Sequence, residues 1–219
     1  MSITVLDSGP LTTVQDAGRV GYAAQGYRSC GAADGYAYRL GNVLVGNDPG
    51  AAVLECTLRG AALRFETDTV FALTGAESPA ALDSTPVPYY APLLAKAGSV
   101  LQMGAAKTGL RSYLAVGGGI ATPPVLGSRA TDVKCGIGGL EGRKLTVGDT
   151  LPIGSCDTPA LWQAITAKRL GRPLRDKTVC GGLHPMRVQG TQMLPLLRAV
   201  PGPQDAAFTV QGRQDFIHG

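Results

Sequence analysis

The chain has 219 residues and a formal net charge of +4, from 20 lysines and arginines against 16 aspartates and glutamates. A hydrophobic fraction of 44% is enough to build a buried core, and with the low net charge it excludes a disordered chain. The scattered basic residues argue against a nucleic-acid-binding surface, and the apolar runs are too short to predict a transmembrane helix.

Short apolar or alternating segments, bounded by Gly, Pro, Asp or Ser, recur along the chain as is typical of β-strands. The strands predicted in this way are 2–6, 62–65, 69–73, 100–103 and 111–116. Turn-forming residues predict reversals of the chain at 83–86 and 146–149.

Helical patterns are fewer. Apolar residues at helical spacing predict a helix over 33–45, and an early proline followed by a later glycine predicts a second over 159–170. Segment 189–198 is ambiguous because Pro195 would interrupt a helix there. The prediction is a mainly β fold, barrel or sandwich, with one or two helices.

The five cysteines are odd in number and widely spaced, and they form no CxxC pair. This pattern predicts neither a metal site nor a disulfide framework, and it favours free thiols in a reducing compartment. The N-terminal residues lack the charged and apolar regions of a secretory signal. We therefore expect a cytoplasmic protein that does not bind a membrane.

The densest polar segment spans residues 12–19 and carries Gln15, Asp16, Gly18 and Arg19. An arginine can bind a carboxylate or phosphate through two parallel hydrogen bonds. Asp16 could orient Arg19 or act as a general base. The alternative is a structural Asp–Arg pair that fixes a long loop.

A second candidate segment contains three consecutive glycines, Gly117, Gly118 and Gly119, whose N–H groups could form an anion-binding concavity. It is followed by the polar run 126–132 and by another glycine-rich stretch at 138–142. Neither matches the P-loop or the dinucleotide-binding pattern. The alternative is turn and bulge geometry in a β-rich fold.

The order of these segments resembles one known family. The matching blocks are 9–19, 30–34, 42–47, 54–58, 73–76, 113–119, 126–132, 148–152 and 201–204. They are similar to the allophanate-hydrolase-subunit-2-like family, whose members are also described as the C subunit of 5-oxoprolinase or as the B half of the biotin-dependent carboxyltransferase domain of urea carboxylase.

The resemblance implies two cyclophilin-like β-barrel domains. The first would be complete and span residues 1–105, and the second would span 106–219. Typical family members continue well beyond the segment that resembles 201–204. The second barrel is therefore expected to be incomplete here, which would leave unpaired strand edges.

The resemblance also implies a function, as one component of an ATP-dependent amidohydrolase that opens the lactam 5-oxoproline to glutamate. The expected partners are a sister subunit of the allophanate-hydrolase-subunit-1-like family and a lactam-utilisation subunit, and the complex would use ATP. One alternative is a biotin-dependent carboxyltransferase component for a urea-type substrate. Another is a non-catalytic binding partner of a kinase-inhibitor-like sister protein.

Lactam opening needs donors for a developing oxyanion, and these could be Arg19, Arg129 or backbone N–H groups. It also needs proton transfer, for which carboxylates are candidates. The catalytic candidates are Asp16, Arg19, Asp34, Arg129 and Asp132, and the substrate-binding candidates are Gln15, Gly18, Gly117, Gly118, Gly119 and Ser128.

Overall fold

The computed structural model describes residues 1–169, 186–189, 192–195, 209–212 and 214. The chain divides into two compact units, Met1–Lys177 and Thr178–Gly219. The first unit contains, in chain order, β1 (Ser2–Asp7), β2 (Leu11–Gln15), α1 (Gly35–Leu44), β3 (Val53–Thr57), β4 (Ala62–Phe65), β5 (Thr69–Gly75), β6 (Ala80–Leu82), β7 (Thr85–Pro86), β8 (Pro92–Ala95), β9 (Val100–Met103), β10 (Arg111–Val116), β11 (Thr150–Pro152) and α2 (Thr158–Arg169).

Two antiparallel sheets form the frame of this unit. The six-stranded sheet has the order β11-β1-β4-β9-β6-β7, and the five-stranded sheet has the order β2-β3-β10-β5-β8. β10 lies at the centre of the second sheet, where Leu114 is opposite Leu54 on one side and Leu73 on the other. Its position explains the burial of residues 112–116, since a central strand is covered on both faces.

One core lies between the inner faces of the two sheets. It joins residues such as Phe65 of the first sheet to Phe71 of the second, whose ring centroids are 5.2 Å apart. The outer face of the five-stranded sheet carries a second cluster, in which Tyr38 of α1 packs with Val70 and Tyr113. Helix α2 adds Leu161 and Trp162 to this cluster. Both helices therefore bury an apolar face against the outer side of this sheet.

The predicted elements are largely confirmed. The helices expected over 33–45 and 159–170 are α1 and α2, and each of the five predicted strands is present. Asp83 and Ser84 both have positive φ in the tight turn that joins β6 to β7. Residues 146–149 also form a turn, in which the Thr146 N–H donates to the Asp149 carboxylate at 2.7 Å.

Residues 11–15 differ from the expectation of a polar loop, because they form strand β2. Their polar side chains are buried with partners: the Thr12 hydroxyl donates to the Ser8 carbonyl at 2.6 Å. Gln15 donates to the Thr13 hydroxyl at 3.0 Å. Buried threonines and glutamine carry no periodic apolar signal, so the strand was missed.

The mainly β prediction is confirmed. Within the described residues, strand pairing leaves two open sheets with edge strands at both ends, so hydrogen bonds do not close a complete first barrel. Residues 111–116, assigned by sequence to the second domain, pair with strands of residues 53–57 and 69–75. The division into barrels at 105/106 stays a prediction.

The second unit is described only in part. Strands β12 (Met186–Gln189) and β13 (Gln192–Pro195) pair antiparallel, with Met186 opposite Pro195. The ambiguous segment 189–198 is therefore strand over 192–195, while 196–198 and the block 201–204 lie outside the described residues. In the portion of the chain described above, no helix has the length and hydropathy needed to cross a membrane.

Candidate functional site

Asp16 joins two loops that are far apart in sequence. Its carboxylate accepts hydrogen bonds from the Gly18 N–H at 2.8 Å, the Ser128 hydroxyl at 2.7 Å and the Arg129 N–H at 2.5 Å. The residue is buried. With three donors on one carboxylate, Asp16 fixes the loop that follows β2 against the loop that contains Ser128. The loop is thus fixed as the structural alternative expected, but through two backbone N–H groups and a hydroxyl in place of an arginine side chain.

Gly18 is needed where the first loop folds back on itself. It has a φ of +89°, and a Cβ atom placed there would lie 2.7 Å from the Ser29 carbonyl oxygen and 2.8 Å from that of Cys30. Only glycine allows both the left-handed conformation and the close approach. The next residue, Arg19, donates its N–H to the Ser29 carbonyl at 2.7 Å.

Arg19 is the most unusual side chain of the site because its guanidinium is buried and only partly bonded. The residue is 2% exposed, and Nη2 donates to the Ala130 carbonyl at 2.5 Å. Its Nε and Nη1 atoms are buried without a hydrogen-bond partner among the described residues. Unpaired buried donors are costly, so this guanidinium retains donors that a ligand could use.

Gly138 lies against this guanidinium. It has a φ of +71°, and a Cβ atom would overlap the Ala130 carbonyl and approach Arg19 Nη2 to 2.6 Å. The glycine-rich stretch 138–142 therefore lets the main chain pass close to the charged group.

Asp132 has a fully buried side chain. Its Oδ1 atom accepts the N–H groups of Lys134 at 3.0 Å and Cys135 at 3.1 Å, and it forms an ion pair with Arg28, whose side chain is half exposed. Burial alone would raise the pKa of Asp132. The hydrogen bonds from the Cys135 N–H and from Arg28 outweigh burial and hold the pKa of Asp132 well below its usual range.

Gln15 approaches the same loop from β2. Its Nε2 atom donates to the Thr13 hydroxyl and to the Thr131 carbonyl at 3.3 Å. Its Oε1 atom, like Asp132 Oδ2, is buried without a hydrogen-bond partner in the described part of the chain. Gln15, Arg19 and Asp132, called here the Arg19 cluster, thus combine incompletely bonded buried polar groups on adjacent segments.

Seven of the eleven residues singled out by sequence meet around this cluster. They are Gln15, Asp16, Gly18, Arg19, Ser128, Arg129 and Asp132. The Arg129 side chain turns to the Thr122 carbonyl, to which its Nε donates at 2.7 Å.

Asp34 lies at the N-terminus of α1. Its carboxylate accepts the N–H groups of Tyr36 at 3.1 Å and Ala37 at 2.9 Å, which is the contact of a helix N-cap. Its own N–H donates to the Tyr113 hydroxyl at 2.7 Å. The capping contacts give Asp34 a structural role at the start of α1, and its catalytic role stays a prediction.

The glycines at 117–119 also have internal contacts. The N–H groups of Gly117, Gly118 and Gly119 donate to the Val70 carbonyl, the Asn47 side chain and the Val116 carbonyl, all at 2.8 Å. The concavity expected for an anion thus has its three donors occupied by the protein. A substrate-binding role for these glycines stays a prediction.

Sequence reasoning missed Arg28, Cys30 and Cys135, which lie around Asp132. Cys30 falls in one of the matching blocks, but Arg28 and Cys135 belong to loops without a recognisable pattern. Their proximity depends on a contact between segments about a hundred positions apart, which no local signal reveals.

The family of the chain follows from comparison with known proteins. Residues 25–219 match the family described as carboxyltransferase domain, subdomain A and B, and the chain belongs to this family. The chain is 52% identical to the C subunit of 5-oxoprolinase of Escherichia coli over 94% of its own length and 59% of that protein. It is 40% identical to urea amidolyase of Saccharomyces cerevisiae over 68% of this chain and 8% of that protein.

A solved structure agrees with the fold. The crystal structure of the Kluyveromyces lactis urea amidolyase matches with a TM-score of 0.69 and 38% identity, covering 73% of this chain and 10% of the other. The prediction of the family from the sequence is therefore confirmed. The chain spans between about a tenth and three fifths of the length of these three relatives.

Proposed function

We propose that the chain is one component of an ATP-dependent amidohydrolase that opens 5-oxoproline to glutamate and is active only in a complex. The similarity to proteins named as the C subunit of 5-oxoprolinase favours this reaction over others of the family. The structural observation that supports it is the buried guanidinium of Arg19, with two donors left without protein partners among the described residues.

The chemistry of lactam opening fits a donor of this kind. When water attacks the amide carbonyl carbon, negative charge develops on the carbonyl oxygen before the ring C–N bond breaks. A buried guanidinium stabilises that charge more than an exposed one because water does not compete for it. 5-Oxoproline also carries a carboxylate, which Arg19 attracts from the same position.

The three candidate carboxylates have different roles in this proposal. The low pKa of Asp132 makes it a weak base at neutral pH, so it acts as a fixed negative charge that positions Arg28. Asp16 positions Ser128 and Arg129 through its hydrogen bonds. Asp34 caps α1. The base that removes the proton from water is then expected on a sister subunit.

We also assign the binding site for ATP to the other subunits of the complex. The glycine run that could have held a phosphate has its N–H groups occupied, and the sequence lacks a P-loop. The sister subunit of the allophanate-hydrolase-subunit-1-like family and the lactam-utilisation subunit would supply the nucleotide site. The proposed compartment is the cytoplasm.

The test is reconstitution with the sister subunits, with glutamate formed from 5-oxoproline and ATP as the measured product. Turnover is expected only when this chain is present. Unchanged turnover without the chain would exclude a catalytic subunit. In that case a stable complex in size-exclusion chromatography would favour the alternative of a binding partner for a kinase-inhibitor-like sister protein.

The urea amidolyase and urea carboxylase relatives favour a second candidate, a component of a biotin-dependent carboxyltransferase for a urea-type substrate. This sequence has no biotin-carrier motif, so in this candidate the carrier lies outside the 219 residues. A pulldown with this chain as bait, probed for biotin, distinguishes the two. Capture of a biotinylated carrier would support carboxyl transfer, whereas its absence together with glutamate formation would support lactam opening.

A further inference from the structure

Residues 20–28, called here the 20–28 loop, form a surface loop whose two ends are held together. The residue before the loop, Arg19, donates its N–H to the carbonyl of the residue after it, Ser29, at 2.7 Å. Beneath this closure the chain is tightly packed, because a Cβ atom at Gly31 would lie 2.9 Å from the nitrogen of Gly18. A compact surface loop with adjoining ends is an Ω-loop, a type of loop that often has a function.

Few contacts hold the loop itself against the protein. None of its residues is buried: Val20 is 84% exposed, and only Tyr22 is partly buried. Its three backbone hydrogen bonds join residues 22–27 to one another. Within the described residues, the ion pair of Arg28 with Asp132 is the one hydrogen bond or ion pair that joins the loop to the rest of the chain. A segment with so few buried contacts opens locally at low cost.

This ion pair lies beside the Arg19 guanidinium. The side chain of Asp132 is fully buried, although that of Arg28 is half exposed and the next residue, Val133, is 56% exposed. A carboxylate so near the surface is covered by its partner, so Arg28 and its loop enclose Asp132. Two positions earlier, the Ala130 carbonyl accepts the hydrogen bond from Arg19 Nη2 at 2.5 Å. The loop thus begins at Arg19 and returns, through Arg28, to the segment that binds the Arg19 side chain.

A ligand reaches the unbonded nitrogen atoms of Arg19 only if some part of this enclosure moves. Both Nε and Nη1 are buried in the closed arrangement. The glycine-rich stretch 138–142 also lies against the guanidinium, but the Gly139 N–H donates to the Arg129 carbonyl at 2.8 Å and Gly138 packs tightly on the Ala130 carbonyl. The 20–28 loop has no comparable backbone contact, so it is the part that moves at the lower cost.

The backbone of the loop is also free to change. Gly21 has a φ of +98° and Gly26 a φ of +85°, and no described atom lies within 4 Å of a Cβ atom placed at either position. Rotation of the backbone at these two glycines therefore meets no steric obstacle.

We infer that the 20–28 loop is a lid over the Arg19 cluster and that the ion pair between Arg28 and Asp132 is the latch that keeps it closed. Opening breaks that ion pair, exposes no apolar core and gives a ligand access to Arg19 Nε and Nη1. The lid controls access for any ligand of the guanidinium, so the inference does not depend on the proposed lactam reaction.

The experiment uses the full chain and phenylglyoxal, which modifies accessible guanidinium groups, with the rate at each arginine measured by mass spectrometry of a digest. Arg39 is the internal reference, because it is exposed and has no hydrogen bond or ion pair in the described part of the chain. Arg28→Ala is expected to raise the rate at Arg19 about tenfold relative to Arg39, which corresponds to the loss of one charge-assisted hydrogen bond. Arg59→Ala, which removes an exposed ion pair with Asp7, is the matched control and should leave that rate within about twofold.

Hydrogen exchange separates opening of the lid from loss of the fold. In Arg28→Ala, peptides from the 20–28 loop are expected to exchange faster than in the wild type, while peptides from β10 keep their protection. An unchanged rate of modification at Arg19, or an equal acceleration of exchange in β10, would overturn the inference.

A salt series on the wild-type chain keeps the inference testable if Arg28→Ala does not fold. Raising NaCl from about 0.05 M to about 1 M screens a half-exposed ion pair. The rate at Arg19 is therefore expected to increase about twofold or more relative to Arg39. A rate that does not respond to salt, or that already equals the rate at Arg39 in low salt, would overturn the inference.

Discussion

At the scale of the residue, the site is defined by the contrast between Asp16 and Arg19. The Asp16 carboxylate accepts hydrogen bonds from three donors of the protein. Arg19 is equally inaccessible, yet two of its nitrogen atoms lack partners among the described residues. The first arrangement fixes the two loops, and the incompletely bonded guanidinium is the observation on which the proposed role of Arg19 rests.

Substitution of Gly138 tests whether the glycine-rich stretch is shaped around Arg19. Gly138→Ala is expected to destabilise the chain by about 2–3 kcal/mol, because of strain at positive φ and overlap with the Ala130 carbonyl. Gly136→Ala is the matched control, with a φ of +65° and open space around the new Cβ, and should cost about 1 kcal/mol. Thermal unfolding compares the two, and equal losses would contradict the close packing.

The Asp132 carboxylate should make stability depend on pH. Its folded pKa is lowered, so its contribution is complete above the unfolded pKa of about 4 and is lost as the pH falls toward the folded value. Asp132→Asn is therefore expected to lower the free energy of unfolding by about 1–3 kcal/mol at pH 7. Urea unfolding at pH 7, 5 and 3 should show the gap to wild type narrowing at pH 3. A constant gap would contradict the ionised carboxylate.

The sequence allowed part of this site to be predicted. Segments 12–19 and 126–132 stood out because polar side chains were grouped with glycines, and the structure brings these two segments together. Arg28 and Cys135 could not be predicted, since their neighbours are set by long-range loop contacts. The unbonded donors of Arg19 could not be predicted either, because they depend on which carbonyl groups the fold places nearby.

At the scale of the element, both helices and five of the strands were predictable from patterns of apolar residues. The segment 111–116 was predicted as a strand, and it is β10, which is buried over all but its first residue. β2 was missed because its inward residues include Thr12, Thr13 and Gln15, which are buried through hydrogen bonds. A pattern of hydrophobicity detects the first kind of burial and not the second.

The start of α1 provides a test at this scale. Asp34→Ala removes the acceptor for the Tyr36 and Ala37 N–H groups and is expected to cost about 1 kcal/mol of the free energy of unfolding. Asp34→Ser, which can also cap a helix, should lose less than half of that. The measurement is urea unfolding followed by circular dichroism. Equal stability of the alanine and serine variants would show that the cap is not what Asp34 contributes.

At the scale of the whole molecule, the first unit is built from two packed sheets, one of them covered by two helices, and these support loops from distant parts of the unit. The family was recognisable because matching blocks occur in order along the chain, and this order does not require knowledge of the fold. Strand patterns did not predict that the two sheets are open within the described residues, because such patterns carry no information on which strand edges pair.

The central claim is that the Arg19 guanidinium serves lactam opening in the complex, and glutamate formation by the reconstituted complex tests it most directly. Arg19→Lys keeps the charge but loses the planar donors, and it is expected to lower turnover about a hundredfold. Arg59→Lys, at an exposed ion pair with Asp7, is the matched control and should stay within about twofold of wild type. Equal turnover of the Arg19→Lys complex and the wild-type complex, with both fully assembled, would contradict the claim.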